Sequence, residues 1–147
     1  MNYVPADKEV FEILEEFSKE TTKKKRIEVL RKYEKVNALR DLLQGCFDDR
    51  LQFSLPDGKP PYTPNVPEST PSSLLREHRQ FGFFVKGGPG KDMPQYRIEQ
   101  LFINLLESIH AEDALLVCKM VNKETPVPYL TKKLTEEAFP NLLPAST

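Results

Sequence analysis

The sequence predicts an all-α protein, a compact bundle of about six to seven helices broken by a long Pro/Gly-rich central loop with at most a very short extended segment. Three observations lead there. Apolar residues recur at helical spacing in 6–48 and again in 97–140. Threonines stand where two of those periodic stretches begin, as helix caps do. Eight of the 13 prolines and five of the 6 glycines fall in 49–96, where little regular structure can survive them. At 147 residues, 39% apolar and 29% charged, the chain fits one domain with one sizeable core, residues 1–147, with terminal tails at 1–5 and 141–147.

The first helix is carried by Val10, Leu14 and Phe17 at i, i+4, i+7, with Ile13 beside them and glutamates opposite. Pro5, Asp7 and Glu9 suit its N-terminal turn. A second helix starts at Thr21 or Thr22 and buries Ile27, Leu30 and Tyr33. A third, roughly 35–47, presents Val36, Leu39, Leu43 and Phe47 to the same core. Leu51, Phe53 and Leu55 alternate with polar residues before Pro56-Asp57-Gly58, the pattern of a short extended segment and a tight turn. Residues 60–71 read as an irregular surface crossing, and 72–80 as one helical stretch. Phe81, Phe83, Phe84 and Val85 form an apolar cluster that pins the loop to the domain, and Gly87-Gly88-Pro89-Gly90 reads as a mobile turn. Helical periodicity returns with Ile98, Leu101, Phe102, Leu105, Leu106 and Ile109. A further helix over 111–122 offers Ala114, Leu115, Val117, Cys118 and Val121, and Pro126 and Pro128 force a break. A short helix over 131–138 closes the bundle with Leu134 and Ala138 inward.

Composition narrows the function classes. No stretch approaches the ~18–20 apolar residues of a membrane span, and the start lacks the basic and apolar regions of a signal peptide, so a cytoplasmic protein without membrane contact is expected. Cys46 and Cys118 stand 72 positions apart, too far for a zinc ribbon or a CxxC redox pair, and are expected to be buried thiols. The only histidines, His78 and His110, share no metal-ligand spacing and are expected to be surface or capping residues. No GxSxG elbow occurs, and Gly87-Gly88-Pro89-Gly90-Lys91 departs from a phosphate loop at Val85 and Asp92. The carboxylates of 12–16 and 136–137 read as solvated helix faces. The sequence therefore predicts no enzyme, no cofactor, no metal and no small-molecule substrate.

Charge distribution carries the remaining signal. The net charge is −1, yet residues 1–20 sum to −4 and residues 21–40 to +6. Thr22-Lys23-Lys24-Lys25-Arg26 and Thr131-Lys132-Lys133 each combine a hydroxyl cap, free backbone N–H groups and cations at a helix start, which together can seat a phosphate. Four cations sit badly at the positive end of a helix dipole, so local helix stability does not explain the first run. Lys119 and Lys123 stand near the end of the preceding helix and would join the same side. The alternative is that all are solubilising surface lysines.

A family pattern emerges from these helices. Val10-Phe11-Glu12-Ile13-Leu14-Glu15-Glu16, Thr21 to Leu30, Phe47-Asp48-Asp49-Arg50-Leu51-Gln52-Phe53 and, above all, the tail Leu130 to Pro144 with its Pro-x-Leu-x-Pro exit resemble the N-terminal DNA-binding domain of T-even phage-type ATP-dependent DNA ligases. That resemblance implies a helical domain gripping duplex DNA mostly through phosphates, with contacts at Lys23, Lys24 and Lys25 and at Thr131, Lys132 and Lys133. The Lys-x-Asp-Gly motif of the ligases' catalytic domain does not occur, so the resemblance implies a stand-alone, non-catalytic phage protein. One departure is that Lys119 to Thr125 lacks the glycine the ligases carry before the last helix. The expected function is non-specific duplex DNA binding. The alternative is an assembly protein with a phage or host protein partner, docking through Phe81 to Val85 or Pro56 to Pro71.

Overall fold

A computed structural model of the chain describes residues 8–56, 58, 60–66 and 69–143. Among these are seven α-helices and no strand: α1 (Val10–Lys19), α2 (Lys23–Lys32), α3 (Asn37–Phe47), α4 (Leu74–Glu77), α5 (Gln95–Leu106), α6 (Ala111–Val121) and α7 (Lys132–Ala138). A 3-10 segment, His78–Phe84, continues α4. The fold is all-α, as its sequence predicts. None of these helices is long and apolar enough to cross a membrane.

One continuous core joins all seven helices. Helix α1 buries Val10, Ile13, Leu14 and Phe17, the four positions its periodicity selects. It begins at Val10 with Glu9 as N-cap, one turn later than expected, and Pro5 and Asp7 lie outside the described residues. Helices α3 and α6 form the most extensive helix pair, α7 packs on α2, and α1 lies against α2 and α6. In α2, Val29 is buried where Ile27 was expected, and Ile27 is only half-buried, because α2 meets α1 as well as α7 and its inward face is turned toward both. In α6 the inward set is Leu116, Val117, Met120 and Ala114 rather than Leu115, which is exposed. An apolar run of that density fits two neighbouring faces, and the position of α3 decides between them.

The central loop is fixed at one seam. Phe53 and Val85 form an isolated antiparallel bridge, flanked by Ser54 N–H to Phe84 O and Lys86 N–H to Gln52 O, both 2.7 Å. Phe81 and Phe84 are buried, and Phe84 meets Phe102 edge to face, so the cluster pins the loop as expected. The glycine turn is closely packed: a Cβ on Gly90 would stand 2.5 Å from Phe83 O. Gly58 takes φ +90°, and Asp57 of the expected turn lies outside the described residues. At the C-terminus Leu142 and Leu143 are buried, so 141–143 is not a free tail; residues 144–147 lie outside the described residues.

The α1–α2 contact is closed by a polar cluster. Tyr33 Oη donates to Glu16 Oε1 at 3.0 Å, Lys8 Nζ donates to the same oxygen at 2.8 Å, and Lys32 Nζ donates to Glu16 Oε2 at 3.1 Å. Burial pushes the Glu16 carboxyl up, but these hydrogen bonds outweigh it and hold it at about 2, below its ordinary value of 4.5. The unfolded chain therefore binds more protons between those values, and the stability that Glu16 lends above pH 4.5 is lost as pH falls toward 2. Glu16→Gln is expected to cost about 1–2 kcal/mol near neutral pH and to flatten the acid limb. Urea midpoints measured from about pH 6 to pH 2 check both.

Candidate functional site

The ten residues that the sequence singles out do not form one cluster. Thr22 and Thr131 act as the expected caps: Thr22 Oγ1 accepts Lys25 N–H at 3.3 Å and Thr131 Oγ1 accepts Leu134 N–H at 3.2 Å. Each hydroxyl thus satisfies one of the free donors at its helix start.

The cations disperse because successive helical residues point about 100° apart. Lys23 faces α7, where Nζ lies 2.8 Å from Glu137 Oε2. Lys25 turns toward α1, lining a cleft with Glu16, Glu20, Glu28 and Lys32. Arg26 donates through Nε to Glu20 O at 3.1 Å and lays its guanidinium 4.2 Å over the Tyr129 ring. Lys24 is exposed and has no partner among the described residues. Lys132 lies 3.3 Å from Asp49 Oδ2, and Lys133 is exposed and unpartnered among the described residues.

Lys119 and Lys123 have other roles. Lys119 Nζ donates to Pro126 O at 3.2 Å and lines a groove between α1 and α6, away from α7. Lys123 Nζ is turned inward onto three carbonyls at the end of α3, Gly45 O at 2.6 Å, Asp48 O at 2.9 Å and Leu51 O at 3.0 Å. Burial lowers its pKa. All three donors of its ammonium are used, so Lys123 offers none to a phosphate.

What the structure does bring together is the α2–α7 seam. Arg31, a full two turns beyond Lys23, donates through Nη2 to Glu137 O at 3.0 Å. Lys24 precedes Arg31 by seven positions and Lys133 precedes Glu137 by four, so both flank the same seam. At Glu137 the seam thus joins Lys23 and Arg31, with Lys24 and Lys133 on its flanks. At its end, an open cleft of about 430 Å³ between the α2–α3 turn and the exit of α7 is lined by Glu34, Lys35, Asn37, Arg40 and Asn141. Arg31 was legible in the sequence, since it shares a helical face with Lys24. Tyr129 was not: nothing local marks it as the ring under Arg26.

Cysteines and histidines divide between expected and unexpected places. Cys46 and Cys118 are both buried thiols, as expected, and burial pushes the Cys46 thiol up to about 12. His110 caps α6, its Nδ1 accepting Glu112 N–H at 3.0 Å. His78 is the C-cap residue of α4, its N–H bonding to Leu74 O, but it is not a surface residue: its ring is buried against Asp41, with Nδ1 to Oδ2 at 2.5 Å. Among the described residues no group of three or more His, Cys, Asp and Glu could hold a metal ion. Of the two expected docking segments, Phe81 to Val85 is mostly core, with Phe83 alone of its phenylalanines exposed. The Pro56 to Pro71 segment borders an apolar groove of about 320 Å³ lined by Leu55, Pro60, Pro61, Phe102 and Ile103.

A family of unknown function (DUF6433) has a model that matches residues 13–126 of the chain. No curated protein and no solved structure matches it, so the ligase resemblance rests on the sequence alone.

Proposed function

We propose that this chain, which belongs to the DUF6433 family of unknown function, is a non-enzymatic module that holds duplex DNA by its phosphates across the α2–α7 seam, with little sequence preference. One observation carries the reading. Helix α7 lies on α2, so Lys23 and Arg31 both meet Glu137, and helical spacing sets the exposed Lys24 and Lys133, which have no partner among the described residues, beside that seam. Lysine and arginine so placed contact the backbone of DNA rather than its bases, giving register without sequence information. No aromatic residue stands among these four, which favours duplex over stacked single strands. The ligase-like tail supports a role in phage DNA metabolism, in the host cytoplasm.

The test is fluorescence anisotropy of labelled nicked, intact and single-stranded DNA from about 50 to 200 mM salt. About four phosphate contacts give a log–log salt slope near −3 to −4. Lys24→Glu with Lys133→Glu is expected to weaken duplex binding at least about tenfold and to reduce the slope by about 2. Unchanged affinity and slope in that double variant would refute the seam as the DNA surface.

A second reading, a protein-docking module, is favoured by the apolar groove beside Pro60 and Pro61. Recovery of one stoichiometric protein that survives nuclease treatment, with no DNA binding by anisotropy, would select it.

A further inference from the structure

Three helix starts meet at a pair of acids that the DNA surface does not use. Asp113, in the first turn of α6, is fully buried. Its Oδ1 accepts Phe11 N–H at 2.9 Å, which ties α1 to α6. No N–H or O–H of the described residues reaches its buried Oδ2. The carboxyl that it does touch is that of Glu9, the N-cap of α1. Glu9 in turn takes the hydroxyl proton of Ser73, its two oxygens standing 2.8 and 2.9 Å from Oγ. Ser73 is the N-cap of α4, where Oγ accepts Leu75 N–H.

Two ionised carboxylates are acceptors only and repel, so a buried contact between them is satisfied when one proton lies in it. We propose that the buried Asp113 keeps its proton and gives it as a hydrogen bond to the Glu9 carboxyl, forming a pH-sensitive latch that holds the start of α1 against those of α4 and α6 and loosens when that proton leaves.

Among the described residues no cation bonds to either carboxyl in place of the proton. From α1, Glu12 adds a further negative charge, and its Oε1 accepts Glu9 N–H at 2.9 Å. From α4 the contact is Ser73. On α6, Glu112 is exposed, and His110 stacks on Phe11 at 4.2 Å with Nδ1 committed to Glu112 N–H. The buried positions of α3 and α5, against which α6 packs, carry no ionisable group except the Cys46 thiol. Neither acid lines the clefts at the α2–α7 seam, between α1 and α6, beside Pro60 or between α1 and α2, so the pair is a structural device and not a substrate site.

Burial, then the contact with Glu9, pushes the Asp113 carboxyl up to about 8, against an ordinary value of 3.8. Across that window the folded chain binds more protons than the unfolded one, so stability declines as pH rises through it and levels off above. Glu16 and Asp48, both held at about 2, act in the opposite sense and lend stability that is lost only on acidification. The optimum is therefore expected at about pH 4–5, on the acid side of the usual range.

The experiment follows the carboxyl ¹³C resonances and the melting temperature of the full chain from about pH 5 to pH 9, in wild type and Asp113→Asn. Asparagine keeps the shape and donates N–H to Glu9 with no proton to lose. Wild type is expected to show one aspartate titrating near pH 8, a falling melting temperature and reduced protection of the Phe11 amide at alkaline pH. The variant is expected to lose that titration and the fall together, and to melt higher than wild type at the alkaline end. An Asp113 carboxyl titrating near its ordinary value would overturn the latch, and so would a variant whose melting temperature falls in parallel with wild type. Were the variant unable to fold, the wild-type titration alone would decide.

Discussion

Lys123→Met is expected to destabilise the chain by about 3 kcal/mol without changing the steepness of the urea transition. The last carbonyls of a helix have no partner within it. At the end of α3, Lys123 Nζ supplies that partner to Gly45 O, Asp48 O and Leu51 O, at 2.6, 2.9 and 3.0 Å. Methionine has nearly the same length and no donor, so it would fill the space while leaving Gly45 O and Leu51 O unpaired and Asp48 O with only the Leu51 N–H at 3.0 Å. Each charge-assisted bond contributes about 1.5–3 kcal/mol, less than additively when they share one nitrogen.

The backbone is arranged around this side chain. Lys123 follows α6 at φ +58°, Lys123 N–H bonds to Met120 O at 3.0 Å, and Glu124 N–H bonds to Lys119 O at 2.9 Å. That is the double-bonded helix ending whose left-handed position ordinarily favours glycine. Here a lysine accepts the strain, and its side chain reaches back to α3. Lys123→Gly would relieve the backbone and lose all three bonds, so a net loss of about 2 kcal/mol is expected. A loss under about 0.5 kcal/mol in both variants would mean that water replaces the ammonium at no cost.

The same residue shows why the helices were legible and the site only partly so. Helix positions follow from apolar spacing, which is local: Val10, Ile13, Leu14 and Phe17 mark α1 without knowledge of any other element. The role of a lysine depends on what the fold places opposite it. Lys23 meets Glu137, Lys132 meets Asp49 and Lys123 meets the α3 carbonyls, all remote in sequence. Adjacent lysines also look like one patch when written as Lys23-Lys24-Lys25, whereas helix geometry sends them in three directions. The Glu9–Asp113 pair is hidden for the same reason. Each acid reads singly as a favourable charge in a first helical turn, and only tertiary contact makes them repel. The turn over 119–125 has no glycine, and a lysine takes the left-handed position at its helix end.

The α3–α6 crossing sets the second large expected effect, at Gly45. A Cβ at this position would stand 2.4 Å from Met120 Sδ and 2.6 Å from its Cγ, with the Phe53 ring at 3.4 Å. Met120 is fully buried, so it cannot swing into solvent to make room. Glycine inside a helix costs about 1 kcal/mol relative to alanine, and here that cost admits the close approach of α6. Gly45→Val is expected to cost about 3 kcal/mol or more, since overpacking displaces a core side chain and shifts the α3 end from which Gly45 O meets Lys123. Met120→Ala alone should cost about 2–3 kcal/mol through the cavity it leaves. Combined, the two should cost less than their sum by about 1–2 kcal/mol, because the valine methyls enter the space the thioether vacates. Urea unfolding of the two single variants and the double variant measures that coupling directly. Additivity within about 0.5 kcal/mol would mean that Gly45 is required by something other than the thioether of Met120.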